Sequence, residues 1–230
     1  VTDSPATRTP LWRALVAELL GTALLVATVV GSGIAAQRLS PTDTGLQLLE
    51  NSIATALVLA VLIAVLMGVS GAHFNPAVTL ASAALDGPAA RLSAVIGFIA
   101  AQIVGAFAGA LLANAMFGVA PGIATTERVT PGTLLGEVVA TAGLIIVIVV
   151  LVRTGRATAL PLAVAGWIGA AYWFTSSTSF ANPAVTLGRM ITDTFAGITP
   201  ASAGWFILAQ LVGAGLGLGI AVLLAPRPQS

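Results

Sequence analysis

His73-Phe74-Asn75-Pro76-Ala77-Val78-Thr79-Leu80 and Phe180-Ala181-Asn182-Pro183-Ala184-Val185-Thr186-Leu187 share their last six residues. Proline suits the first turn of a helix and breaks its interior, so each Asn-Pro step reads as a helix start with asparagine as its cap. Both steps fall about two-thirds of the way along charge-free runs, residues 51–85 and 157–188. A membrane span needs about 20 apolar residues, so each run is too long for one span and too short for two. Each is therefore expected to hold one span, a turn and a half-helix. Non-helical backbone at that depth is tolerated only where it is buried in protein or lines a water-filled cavity.

Working outward, the other apolar runs each supply one span. Residues 19–37 and 138–152 fit one apiece, with Glu18 and Glu137 at their starts, and 92–126 and 194–226 hold a span plus an apolar loop or end. The two halves match in order. Glu18 and Thr22 correspond to Glu137 and Thr141, and Gln102 and Gly105 correspond to Gln210 and Gly213. Three spans per half is an odd number, so the second copy must lie upside down, and the two half-helices then enter from opposite faces. The expected fold is an all-α membrane protein of six transmembrane helices and two re-entrant half-helices in an inverted 3+3 repeat, an arrangement that builds a central site in membrane transport folds. It is read as one domain over 1–230: a polar tail at 1–11, a first repeat at about 12–115, a connecting loop at about 116–132 and a second repeat at about 133–225. The polar, proline-containing residues 1–10 do not read as a secretory signal.

Composition agrees and narrows the function. The chain of 230 residues is 57% hydrophobic and 7% charged, where soluble domains carry about 25% charged residues. A net charge of +1 excludes a basic nucleic-acid binder. Without cysteine there is no disulfide framework, thiolate metal site or thiol nucleophile. One histidine, His73, is too few ligands for a metal centre, so no metal and no cofactor is expected. No serine-histidine pair or two-metal carboxylate set points to an enzyme. Arg8, Arg13, Arg91, Arg153, Arg156 and Arg227 fall on one side of the six-span layout, and Arg38, Arg128 and Arg189 on the other. The arginine-rich side is expected to be cytoplasmic, which makes the chain a multi-pass protein of the cell membrane with both termini in the cytoplasm.

The twin Asn-Pro-Ala motifs, the lead-in Ser70-Gly71-Ala72-His73 and the paired glutamates resemble the major intrinsic protein family, the aquaporins and their relatives, over about residues 12–225. The resemblance implies a passive channel for small neutral solutes, and a homotetramer with one pore per subunit in the lipid bilayer. Asn75, Pro76, Ala77, Asn182, Pro183 and Ala184 would form the pore midpoint, where two helix N-termini bring partial positive charge and free N–H groups. A water there would point its oxygen at both asparagine amides and interrupt a proton wire. The alternative is that each asparagine merely caps a buried helix. Backbone carbonyls of Gly71, Ala72, His73, Thr178, Ser179 and Phe180 would form acceptor ladders.

Glu18 and Glu137 have two readings: a proton-coupling site of a secondary transporter, or carboxylates that hold the re-entrant loops by accepting their N–H groups. The family resemblance implies the second. Gly105, Gly109, Gly213 and Gly217 would permit close helix approach.

Most aquaporins carry an arginine directly after the position matched by Ala184; here it is Val185. Matched by spacing, the outer selectivity filter falls on Thr55, Ala170, Ser179 and Val185, with a one-residue slip to Gly169 allowed on the fifth span. All four are small and uncharged. The expectation is a widened, arginine-free filter passing solutes larger than water, with arsenite and methylated arsenic hydroxides ahead of glycerol and urea. Pore radius then depends on whether Trp173, Tyr172, Phe180 or residues 120–133 enter the vestibule. Arg189, four residues beyond Val185, is read either as a displaced gate in the outer vestibule or as a side chain that snorkels to headgroups or pairs with Asp193.

Overall fold

The computed structural model describes residues 9–87 and 90–225. Eight α-helices follow in order among them: α1 (Leu11–Leu39), α2 (Thr44–Ser70), α3 (Pro76–Asp86), α4 (Leu92–Phe117), α5 (Pro131–Arg153), α6 (Leu160–Phe174), α7 (Pro183–Gly188) and α8 (Pro200–Leu224). Six are long and apolar enough to cross a membrane, α6 with the 3-10 turn Ala157–Ala159 ahead of it; α3 and α7 are the two short ones. The chain is thus an all-helical, multi-pass membrane protein. Arg8 and Arg227, like most of the expected tail at 1–11, lie outside the described residues.

Several spans overrun the charge-free windows. Helix α1 begins at Leu11 and carries Arg13 and Glu18; α2 begins at Thr44, ahead of residue 51. Asp43 caps α2 by accepting from the Leu46 N–H at 2.9 Å, and Glu50 stays helical by accepting from Ser40 Oγ at 2.9 Å. Charges near helix ends are tolerated where a partner or the interface is in reach, so a charge marks a span's end only loosely.

The two halves pack alike. Helix α1 lies against α2 and α4, and α5 against α6 and α8. A Cβ at Gly105 would strike the carbonyl oxygen of Leu19, and one at Gly213 would strike that of Val138. Gly109 and Gly217 meet Ala23 and Ala142 in the same way one turn on. Lipid gives helices no hydrophobic drive to associate, so this close backbone approach is what joins each pair. The half-helices cross over: α7 packs on α4 and α3 touches α8, which knits the halves together.

Helix faces are sorted by position rather than polarity. On α2, Thr55, Leu59, Ile63 and Met67 recur every four residues along the wall of a central cavity. Leu57, Val61 and Val65, on the other side, are 64%, 59% and 66% exposed and suit contact with acyl chains. An apolar helix in this setting has two kinds of apolar face.

Candidate conduction site

Each half-helix starts as its Asn-Pro step dictates. Asn75 Oδ1 accepts the Ala77 N–H at 2.9 Å; Asn182 Oδ1 accepts those of Ala184 at 3.0 Å and Val185 at 3.3 Å. The side-chain amides then cross. Asn75 Nδ2 donates to the Ala181 carbonyl at 2.8 Å, and Asn182 Nδ2 donates to the Phe74 carbonyl at 2.8 Å. The two helix tips therefore face each other through reciprocal bonds, and each amide keeps a second N–H. Both asparagines line one cavity of about 310 Å³. Pro76, Ala77, Pro183 and Ala184 are buried but stand outside its wall; they start and pack the helices.

The arms leading into the tips repeat one backbone pattern. Left-handed φ occurs at Ala72 (52°) and Phe74 (48°), and at the matching Ser179 (52°) and Ala181 (47°). Thr178 (61°) matches Gly71 (90°) in the same register. Non-glycine residues held there cost about 1–3 kcal/mol each, so something must hold them. Glu18 does so in the first arm. Its carboxylate accepts from the N–H groups of His73 at 2.9 Å and Phe74 at 2.7 Å, from Ser70 Oγ at 2.6 Å and from Gln102 Nε2 at 2.7 Å. Glu137 accepts from the N–H groups of Phe180 and Ala181, both at 2.9 Å, and from Gln210 Nε2 at 2.6 Å. Neither carboxylate is among the cavity-lining residues, and both are fully buried.

Arm residues Gly71, Ala72, His73, Ser179 and Phe180 line the cavity. His73 and Phe180 turn their N–H groups to the glutamates, while those of Ala72 and Ser179 donate to Ser70 Oγ and Ser177 Oγ and that of Gly71 to the Met67 carbonyl. Thr178 does not: its N–H closes a turn onto the Thr175 carbonyl at 3.2 Å, which sets it outside the wall. The His73 ring packs on Phe98, with centroids 5.4 Å apart, and its Nδ1 lies 3.1 Å from Thr79 Oγ1.

The outer end differs from expectation on α6. Ala170 is exposed and lines no part of the cavity, and Gly169 faces Ala56 of α2 instead. The wall residues are Leu160, Val164, Ile168 and Tyr172, one every four positions, and Ala170 is two positions from either neighbour and so on the far side of the helix. The α6 contribution is therefore aromatic and large. Tyr172 OH lies 3.1 Å from Thr55 Oγ1, and Ser179 and Val185 complete this part of the wall. The Ser179 hydroxyl has no protein partner. Phe180 also lines the cavity, whereas Trp173 turns outward and donates to Ser52 Oγ at 3.2 Å.

Arg189 does not reach the surface. It is 3% exposed, follows α7 in a 3-10 turn and forms part of the cavity wall. Its Nε donates to the Ala196 carbonyl, and its guanidinium carbon sits 3.5 Å from the Phe180 ring centroid. Asp193 is engaged elsewhere, accepting from Thr125 N–H and Oγ1. Arg128, from the segment between α4 and α5, lies 5.4 Å from the same ring and donates to the Gly197 and Phe195 carbonyls at 2.7 and 2.8 Å. Burial lowers the Arg128 pKa from its ordinary value, which is high enough that the group keeps its charge near neutrality.

An inverted pair of three-helix units with opposed, asparagine-capped half-helices around one cavity defines a solute channel of a particular architecture. A family model described as major intrinsic protein matches residues 5–177. Aquaglyceroporin AqpS of Rhizobium meliloti (strain 1021) is 48% identical over 205 residues, spanning 89% of this chain and 86% of that one. The lens fiber major intrinsic protein of Gallus gallus is 40% identical over 110 residues, 48% of this chain and 38% of its own. Among solved structures, the aquaglyceroporin from Plasmodium falciparum superposes with a TM-score of 0.69 at 19% identity, covering 92% of this chain and 95% of its own, a likeness of fold. The chain belongs to the major intrinsic protein family, whose members are membrane channels for small solutes and not enzymes.

Proposed function

We propose that the chain is a passive channel for water and for uncharged hydroxylated solutes of about glycerol size, the neutral hydroxides of trivalent arsenic and its methylated forms among them. One observation carries this reading: at the outer end of the cavity, the position after Ala184 holds Val185, beside Thr55 and Ser179. Valine leaves the space that a guanidinium would fill and offers no donor of its own. A neutral solute exchanges water for Tyr172 and the arm carbonyls, along a wall otherwise made apolar by Val185 and Ile168. An ion would lose its hydration without equivalent partners and would meet the positive helix tips at Asn75 and Asn182. The name aquaglyceroporin borne by the Rhizobium relative supports solutes beyond water.

Glu18 and Glu137 act in this reading as braces of the arms, which their N–H partners support. The channel is placed in the cell membrane as a homotetramer with both termini cytoplasmic. The test is stopped-flow swelling of proteoliposomes with water, glycerol, urea and arsenite in parallel. Entry of glycerol and arsenite well above protein-free vesicles is expected, with a marked fall in Val185→Arg while water flow persists. A channel that passes water alone would refute the widened constriction.

A further inference from the structure

Arg189 is a buried cation that makes no direct ion pair with any described residue. Among the described residues, the nearby carboxylates are occupied: Asp193 by Thr125, Glu127 by Ser202 Oγ at 2.8 Å, and Glu137 by the arm N–H groups. Only Nε of Arg189 has an acceptor, the Ala196 carbonyl; its two terminal nitrogens bond to no described residue. A guanidinium carries five N–H donors, and burying most of them unpaired is expensive. That cost is avoided if the terminal edge faces the contents of the cavity, whose wall Arg189 helps to form.

Arg128 is the contrast. It touches the same phenyl ring and the same loop, yet it spends its donors on two carbonyls and does not line the cavity. Consecutive carbonyls of Phe195, Ala196 and Gly197 are thus shared between the two arginines. Arg128 ties the loop down and sets a like charge near Arg189. The Phe180 face and the Ala196 carbonyl fix the plane of the Arg189 guanidinium, so its charge is placed and not merely present.

We infer that Arg189 is the specificity-determining cation of the outer constriction. Standing one helical turn beyond Val185, it repels cations and offers N–H donors to the oxygen of a neutral solute, while Val185 keeps the passage wide. This rests on the channel reading above and adds to it a division of labour: width is set at Val185 and charge at Arg189. Tyr172 lies along the same wall, and the solute class it suits with Arg189 is small, uncharged and rich in hydroxyl oxygens.

The experiment uses the full chain in proteoliposomes, reading proton and sodium entry under a valinomycin-clamped potassium potential beside water and glycerol swelling. Arg189→Ala is expected to raise cation entry about tenfold with water flow retained, as the field of one fixed charge in a narrow, poorly screened passage requires. Exposed Arg156, replaced by Ala, controls for loss of charge in general and should leave the leak unchanged. The double variant Val185→Arg/Arg189→Ala should return the leak towards wild type and slow glycerol. If Arg189→Ala does not reconstitute, Phe180→Leu, which frees the guanidinium without deleting it, should raise the leak to a lesser degree. A cation leak equal to wild type in Arg189→Ala, or in Phe180→Leu where Arg189→Ala does not reconstitute, overturns the inference. Absence of swelling in the wild-type chain would instead overturn the channel reading on which it stands.

Discussion

Replacing Glu137 by Gln tests whether that carboxylate is a brace or a proton carrier. In the native arrangement its two oxygens receive four donors, the N–H groups of Phe180 and Ala181, the amide of Gln210 and the Ser177 hydroxyl. The amide of glutamine offers one acceptor oxygen and turns two N–H donors towards donors. At least one buried N–H is then orphaned, at about 1–3 kcal/mol, and the surviving bonds lose the roughly twofold strength that ionic charge gives them. The sum is about 2–4 kcal/mol, and more for Glu137→Ala, which removes the acceptor of all four. At about 2–4 °C per kcal/mol for a chain of this size, melting in detergent should fall by roughly 5–15 °C. Water flow should fall with it, because Phe180 and the left-handed Ala181 lose the acceptor that holds their backbone. Glu18→Gln should behave alike, since Glu18 serves His73, Phe74 and Gln102 in the same way. Melting within about 2 °C of wild type would refute the brace. Loss of gradient-driven uptake at unchanged stability would make the pair the coupling site of a transporter.

Three other outcomes are expected. Gly105→Leu should prevent folding, because even its Cβ overlaps the Leu19 carbonyl, and the cost exceeds about 3 kcal/mol; a monodisperse, normally melting variant on size-exclusion chromatography would contradict the close approach of α1 and α4. Tyr172→Phe removes the partner of Thr55 Oγ1 and should lower stability by only about 1 kcal/mol, yet shift the glycerol-to-water permeability ratio at least about twofold. An unchanged ratio would remove Tyr172 from the constriction. Asn182→Ala deletes both the cap of α7 and the bond to Phe74, so melting should drop by the equivalent of about 2 kcal/mol or more while proton leak rises; a change in neither would separate the asparagine from the passage.

What could be read from the sequence follows from what lipid leaves visible. The Asn-Pro steps, the glutamates and the glycine pairs are each costly in an apolar helix unless the fold uses them, so their symmetric recurrence carried the architecture. The facing of α6 carried no such mark. Its residues are apolar all round, so no amphipathic stripe separates the cavity side from the lipid side. Counting from Asn182 therefore put the filter position on Ala170, although only Tyr172, through its hydroxyl, has a polar reason to meet Thr55 across the gap from α2. A polar atom on an otherwise apolar span was the available signal, and it outranks a residue count across a turn of irregular backbone. The same rule accounts for Arg189. A charge within reach of the membrane surface reads as a snorkelling side chain until its company is known, and here that company is the Phe180 ring and a loop carbonyl, both on the inner side. Where the bilayer hides the pattern of apolar residues, the scarce polar ones state which face is inward, provided each is asked which partner it would need.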